Sequence, residues 1–309
     1  MDLDLYIEKS KLFYRFMVSQ KQWSGLEIED IDKWINNFRE LDIEEQYLAY
    51  KLLAHLIYFS EKDIIEALKN GLYKCLLYKE ALEKQIENDF QLSPKAIDNI
   101  FQDQKDKSVF IPLLDSDSPH ESGNYILRLL VQQGMIKKTN SMYLSKVPIF
   151  CKKTKIEKII IVDDCVGSGQ QLRTFCNKHQ SYLEGKSIKE FCLDNNIELH
   201  YLVLFGYEKS IKELESELDY LNICCVRFLT ERQRVFSKCS YVWGDVEERE
   251  RAYYLFEHIS NEVGIPFLGY NDLDFAFVMH NTIPDWSLPF FWKENSEWNL
   301  LIRRKNSNE

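Results

Sequence analysis

The segment Lys158-Ile-Ile-Ile-Val-Asp-Asp-Cys-Val-Gly-Ser-Gly-Gln-Gln-Leu-Arg-Thr-Phe-Cys176 runs from an apolar stretch into two acids, a small-residue loop and a helical pattern. Ile159 to Val162 are apolar at every position, which suits a strand covered on both faces inside a parallel sheet. Asp163 and Asp164 are expected where that strand leaves the sheet. Val166-Gly-Ser-Gly169 lacks bulk, so backbone N–H groups can approach a ligand, and Leu172, Phe175 and Cys176 follow at helical spacing. The loop therefore feeds a helix N-terminus, whose unpaired N–H groups and dipole attract anions. Two carboxylates beside such a cradle repel a bare phosphate. They are suited to accept hydrogen bonds from hydroxyls, or to reach a metal through the ligand, and a sugar phosphate has both kinds of group. The same residues also suit a strand-to-helix turn whose glycines serve geometry alone.

The chain of 309 residues can bury one large or two modest cores. Its hydrophobic content of 45%, with 19 Phe, 17 Tyr and 6 Trp, excludes a mainly disordered chain. A formal charge of −10 argues against direct, broad binding of nucleic acid. Between Lys137 and Lys158 seven lysines face one acid, Glu157; that stretch reads as a solvated loop or as a flap carrying positive charge to a phosphorylated ligand. Eight cysteines form no C-x-x-C pair, which predicts a reduced, cytoplasmic chain with buried thiols. The first residues lack a signal-peptide pattern, and no apolar run approaches the roughly 18 residues of a membrane span.

Residues 1–107 read as helical throughout. Asp42 precedes a broad apolar face from Tyr47 to Leu56, Ser60-Glu-Lys-Asp63 has the spacing of a capping box, and Ser93-Pro94 puts a cap and a first-turn proline before Ala96. Residues 108–309 read as an α/β domain. Val109–Leu114, Ile159–Val162, Ile197–Phe205 and Leu221–Leu229 are strand candidates separated by helical stretches, an alternation that argues for a parallel sheet. A polar loop, Asp115–His120, follows the first of them, and a helix opens at Ser122. Arg232 and Arg234 lie just past the last strand, where open α/β sheets bind ligands. From about residue 262 onward, Pro266-Phe-Leu-Gly-Tyr270, His280-Asn-Thr-Ile-Pro284 and Ser287-Leu-Pro-Phe-Phe-Trp292 form an aromatic, proline-rich cap too apolar for a disordered tail.

The order of four apolar residues, Asp163-Asp164, two further residues and a small Gly-Ser-Gly loop resembles the phosphoribosyl pyrophosphate loop of type I phosphoribosyltransferases. With Phe-Leu-Gly-Tyr, His-Asn-Thr and Leu-Pro-Phe-Phe-Trp downstream, the chain looks like the phosphoribosyltransferase-like family of bacterial conflict and antiphage systems. That resemblance implies a parallel-sheet phosphoribosyltransferase-like core under a helical N-terminal region and a hood-like C-terminal segment. It implies Asp163 and Asp164 on the ribose hydroxyls, reaching Mg2+ only through the ligand, and Val166, Gly167, Ser168, Gly169 and Gln170 around the 5′-phosphate. Ser122, Gly123 and Arg128 would contact pyrophosphate, with Arg232, Arg234 and His280 as further ligand contacts. It also implies a protein partner in a defence complex, such as a reverse transcriptase or a DNA-binding subunit.

The family usually carries hydroxyl residues where Gly167 and Gln171 stand, and it usually reads His-Asn-Thr-Pro-Asn-Asn where this chain has His280-Asn-Thr-Ile-Pro-Asp. A catalytically inactive nucleotide sensor is therefore an alternative to an enzyme. A second alternative is a methyltransferase, because Asp164-Cys-Val-Gly-Ser-Gly169 also resembles the S-adenosylmethionine loop of Rossmann-like enzymes. The Pro-Pro-aromatic segment of nucleic-acid amino-methyltransferases is absent.

Overall fold

The computed structural model describes residues 2–114, 122–280 and 282–303; the polar loop Asp115–His120 lies outside them. The α-helices, in chain order, are α1 (Leu3–Ser19), α2 (Ile28–Asn36), α3 (Ile43–Ala54), α4 (Glu61–Gly71), α5 (Tyr78–Glu87) and α6 (Pro94–Asp106). They continue as α7 (Ser122–Gln132), α8 (Val147–Cys151), α9 (Gln170–Asn177), α10 (Ile188–Asn195), α11 (Glu208–Glu217) and α12 (Val246–Val263). Strands are β1 (Ile57–Phe59), β2 (Ser108–Pro112), β3 (Lys158–Val166), β4 (Glu198–Tyr207), β5 (Leu221–Leu229) and β6 (Phe277–Met279).

Two compact units form, one of Met1–Ile64 with Thr230–Glu309 and one of Ile65–Leu229. These bounds differ from a division at residue 107. In the first unit the aromatic residues supply the reason. Trp34, Phe38, Phe256, Phe290, Phe291 and Trp298 are buried in a single core, so the first helices and the proline-rich tail condense together. The indoles of Trp34 and Trp298 both donate to the Phe290 carbonyl, each at 2.8 Å, which satisfies two buried donors that the packing would otherwise strand.

The reading of residues 1–107 as helical throughout is corrected at Ile57–Phe59. These β-branched and aromatic residues form β1 and pair in parallel with β6, Ile57 opposite Phe277. Helix starts follow the sequence signals. Asp42 and Glu45 make a reciprocal capping box, as do Ser60 and Asp63, and Ser93 Oγ accepts from the Ala96 amide at 3.3 Å. Helix α12 was masked in the sequence by its charged first turns. Asp245 caps it, and Ala252, Leu255, Phe256 and Ile259 line its buried face at helical spacing.

The second unit carries a four-stranded, all-parallel sheet in the order β2-β3-β4-β5, which bears out the α/β class. Strands β3 and β4 are central and almost wholly buried, whereas β5 is partly exposed along its edge. The outer edge of β2 is closed by the segment after α7, where the Met142 amide donates to the Phe110 carbonyl at 3.1 Å. That segment begins the lysine-rich stretch, whose first residues are held by hydrogen bonds and an ion pair. Asn140 Nδ2 donates to the carbonyls of Lys105, Asp106 and Ser108, and Lys137 pairs with Asp106 at 2.7 Å. Lys152, Lys153 and Lys155 remain exposed.

Cys151, Cys165, Cys176, Cys192, Cys225 and Cys239 are free thiols, but Cys224 is disulfide-bonded, which corrects the expectation of a fully reduced set. Alternation along β5 sends Cys224 and Cys225 to opposite faces, so the two neighbours differ in state. No helix among the described residues is long and apolar enough to cross a membrane.

Candidate functional site

Strand β3 does not end at the acids. On its β2 side pairing stops at Pro112 opposite Val162, with the Leu113 amide donating to the Val162 carbonyl at 3.0 Å. On its β4 side the register continues from Asp163 opposite Val203 to Val166 opposite Gly206. The expectation that Asp163 and Asp164 lie where the strand leaves the sheet is therefore corrected. Both sit inside β3, because the ten-residue β4 keeps pairing after the shorter β2 has stopped. The missing neighbour leaves room beside them, and α7 starts there.

Asp163 and Asp164 are both buried, 2% and 5% exposed. Asp163 Oδ2 accepts from the Tyr201 hydroxyl at 2.9 Å, and its Oδ1 accepts from the Asp164 amide at 3.0 Å. Asp164 Oδ1 accepts from the Cys165 amide at 2.7 Å. Ser122, the first residue of α7, lies against both acids: its Oγ is 3.4 Å from Asp163 Oδ1, and its hydrogen bonding favours charge on Asp164. Burial, then the charge of Asp164, pushes the Asp163 carboxyl well above the usual carboxylate range. Burial raises Asp164 as well, against the hydrogen bonds from Ser122 and Cys165. Burial and the facing Asp163 likewise lift the Tyr201 phenol.

Past Val166 the chain turns through buried Gly167 and half-buried Ser168 to Gly169, the N-cap of α9. Gly169 has φ +77°, and a Cβ there would stand 2.7 Å from Leu214 Cδ1. The left-handed backbone requires glycine, and a Cβ there would also press on the Leu214 side chain of α11. Arg173, one turn into α9, fixes this loop. Its Nη1 donates to the Ser168 carbonyl at 2.7 Å, while Nε and Nη2 form a fork to Glu217 of α11 at 2.5 and 3.1 Å. Gln170 opens α9, exposed, with its amide 3.4 Å from Ser168 Oγ.

Gly123 allows the start of α7 to press on the end of β2, since a Cβ would lie 2.6 Å from the Leu113 carbonyl oxygen and 2.9 Å from its nitrogen. Arg128, about 9 Å further along the helix, is exposed and lies over the Tyr125 ring at 5.7 Å. Ser122, Gly123, Arg128, Asp163, Asp164, Val166, Gly167, Ser168, Gly169 and Gln170 thus belong to one unit. Arg232, Arg234 and His280 belong to the other.

There, Arg232 is exposed in the turn Glu231–Gln233. Arg234 is engaged by the buried Asp274 through Nε at 2.5 Å and by the Asp272 carbonyl at 2.9 Å. His280 Nδ1 lies 3.2 Å from Ser24 Oγ. Sequence reasoning passed over Tyr201 and Arg173. Arg173 follows Gly169 by one helical turn, a spacing that returns a long side chain to the loop; Tyr201 becomes visible only through the β3–β4 register.

A family model described as PRTase-CE matches residues 31–304. The match includes both units and the whole Asp163–Gly169 loop, and it sets the methyltransferase resemblance aside. No match occurs among curated proteins or among solved structures.

Proposed function

The chain belongs to the PRTase-CE family, a phosphoribosyltransferase-type family, and from that membership we propose that it binds a ribose phosphate, either phosphoribosyl pyrophosphate or a nucleotide, along Asp163–Gly169. The observation that carries this reading is the pair of buried carboxylates in β3 that leads into the glycine loop and the start of α9. Hydroxyls of a ribose can donate to such a pair without bringing a second negative charge. The helix start at Gly169, with its adjacent amides and Ser168, suits the 5′-phosphate. Ser122 and the Gly123 amide at the start of α7 suit a pyrophosphate, with Arg128 further along the same helix as the candidate cation.

Magnesium would enter this site with the ligand, reached by Asp163 and Asp164 through the ribose hydroxyls. Among the described residues no group of three His, Cys, Asp or Glu side chains could hold a metal directly. Magnesium bound to pyrophosphate would neutralise the leaving group in displacement at ribose C1. The chain's own contribution is positioning: Asp163 and Asp164 orient the ring, Ser168 anchors its phosphate, and the Arg173 fork keeps the loop in place. Service as an effector or accessory subunit in antiphage defence, in the cytoplasm beside a protein partner, follows from the family resemblance.

One observation favours a second reading, a sensor that binds without turnover. Gly167 and the half-buried Gln171 stand where the family usually carries hydroxyls. Calorimetric titration with phosphoribosyl pyrophosphate and magnesium, on the wild type and on Asp163→Asn/Asp164→Asn, tests the binding site. Magnesium-dependent binding lost in the double variant is expected; equal binding by both proteins sinks the assignment. Release of pyrophosphate in the presence of nucleobases then separates an enzyme from a sensor.

A further inference from the structure

In the unit Met1–Ile64 with Thr230–Glu309, a cleft of about 350 Å³ opens among helices α1, α2 and α3. Its lining includes Lys11, Arg15 and Arg39 against a single acid, Asp32, on a chain whose net charge is −10. Asp32 is already engaged: the buried Tyr14 hydroxyl donates to its Oδ1 at 2.6 Å, and Arg15 Nη2 reaches its Oδ2 at 3.4 Å. The Gln46 side-chain amide is likewise spent on the Arg39 and Leu41 carbonyls.

Tyr50 differs from these groups. It is 6% exposed, and its hydroxyl makes no hydrogen bond among the described residues. Nor is it fully enclosed, since Tyr220 Oη is the only wholly buried side-chain atom without a partner among the described residues. Tyr50 is one of the residues that line the cleft. Lys11 Nζ stands 5.9 Å from the Tyr50 ring centre.

A hydroxyl that lines a cleft of ligand size, under a cationic rim, can donate to an acceptor bound there. We propose that this cleft binds an oxyanion, a phosphate or carboxylate borne on a small molecule, through the Tyr50 hydroxyl and the Lys11, Arg15 and Arg39 side chains. The rim cations now hold only exposed partners: Lys11 pairs with Glu8 at 2.8 Å and Arg39 with Glu40 at 3.8 Å. Such pairs are weak and exchange readily for a ligand anion. A site of this kind makes the first unit a receiver of a small anionic effector. The inference is independent of the ribose-phosphate reading.

The test is calorimetric titration of the full chain with inorganic phosphate, ribose 5-phosphate and glutarate, repeated on Tyr50→Phe and Arg39→Met. Saturable binding is expected for at least one probe, weakened roughly tenfold by Tyr50→Phe and lowered further by salt. The melting temperature of ligand-free Tyr50→Phe should equal that of the wild type, because the hydroxyl has no protein partner to lose. Preference for the phosphates or for glutarate identifies the source of the anion. Absence of saturable binding, or binding that neither substitution alters, overturns the proposal.

Discussion

The hydroxyl of Tyr201, in the middle of β4, donates to Asp163 Oδ2 in β3 at 2.9 Å, and both side chains are buried. The bond fixes one acid of the pair from the neighbouring strand before any ligand arrives. Tyr201→Phe keeps the ring and removes only the donor. The stranded carboxylate oxygen should cost about 1–3 kcal/mol of stability, read as a lower urea midpoint at unchanged slope. A midpoint equal to that of the wild type would show that the bond holds nothing.

The two acids should make the fold sensitive to alkali. Their carboxyls are raised in the folded chain by burial, so the folded state keeps protons that the unfolded chain has released. Stability from these groups is complete below about pH 4, the unfolded carboxylate range, and is lost as pH rises through the higher native values. Asp163→Asn is neutral at every pH. It should melt above the wild type at pH 8, with the gap closing toward pH 4; a gap that does not depend on pH would contradict the shift.

Two glycines fail for different reasons when replaced by alanine. At Gly123 the new methyl meets backbone atoms of Leu113, which cannot swing aside. At Gly169 it meets the end of the Leu214 side chain, which can, but φ +77° strains any L-residue. Gly169→Ala should cost about 1–2 kcal/mol, and Gly123→Ala more, despite its ordinary φ. Thermal unfolding of both variants gives the order.

Arg173→Lys tests the loop anchor. A lysine keeps the charge but cannot span the Ser168 carbonyl and both Glu217 oxygens. Ribose-phosphate affinity should fall roughly tenfold, the worth of one charge-assisted hydrogen bond, by calorimetry. Full affinity in this variant would mean that the loop holds its shape without the fork.

Arg234 is expected to act on stability. Burial raises Asp274, and Arg234 is the main influence that opposes the rise. Arg234→Met leaves a buried acid without its cation, a loss of about 3–5 kcal/mol. The acid can escape the penalty by taking a proton, so the loss should shrink at pH 5 relative to pH 8. Denaturant unfolding at the two pH values checks both size and direction.

The strands of the sheet were legible because each is a short apolar run, and the capped helices were legible because caps are local hydrogen bonds between residues three apart. The acid pair and glycine loop were legible for the same reason, as contiguous chemistry. Strand β1 was not, since three residues carry too little periodicity to compete with the helices around them. Helix α12 was hidden by charges that dilute its apolar stripe.

The amino-acid order by itself determined the α/β class, the parallel sheet and the position of Asp163, Asp164 and the Gly167–Gly169 loop along the chain. Tertiary structure decided which residues serve them. Tyr201 reaches Asp163 only because β4 pairs with β3 in that register, Ser122 only because β2 stops one residue before the acids, and Arg173 finds Glu217 only because α9 and α11 lie side by side. It also decided that the first helices and the aromatic tail share a core, although more than two hundred residues separate Trp34 from Phe290. Such pairings are set by burial and register between distant segments, and no local pattern records them.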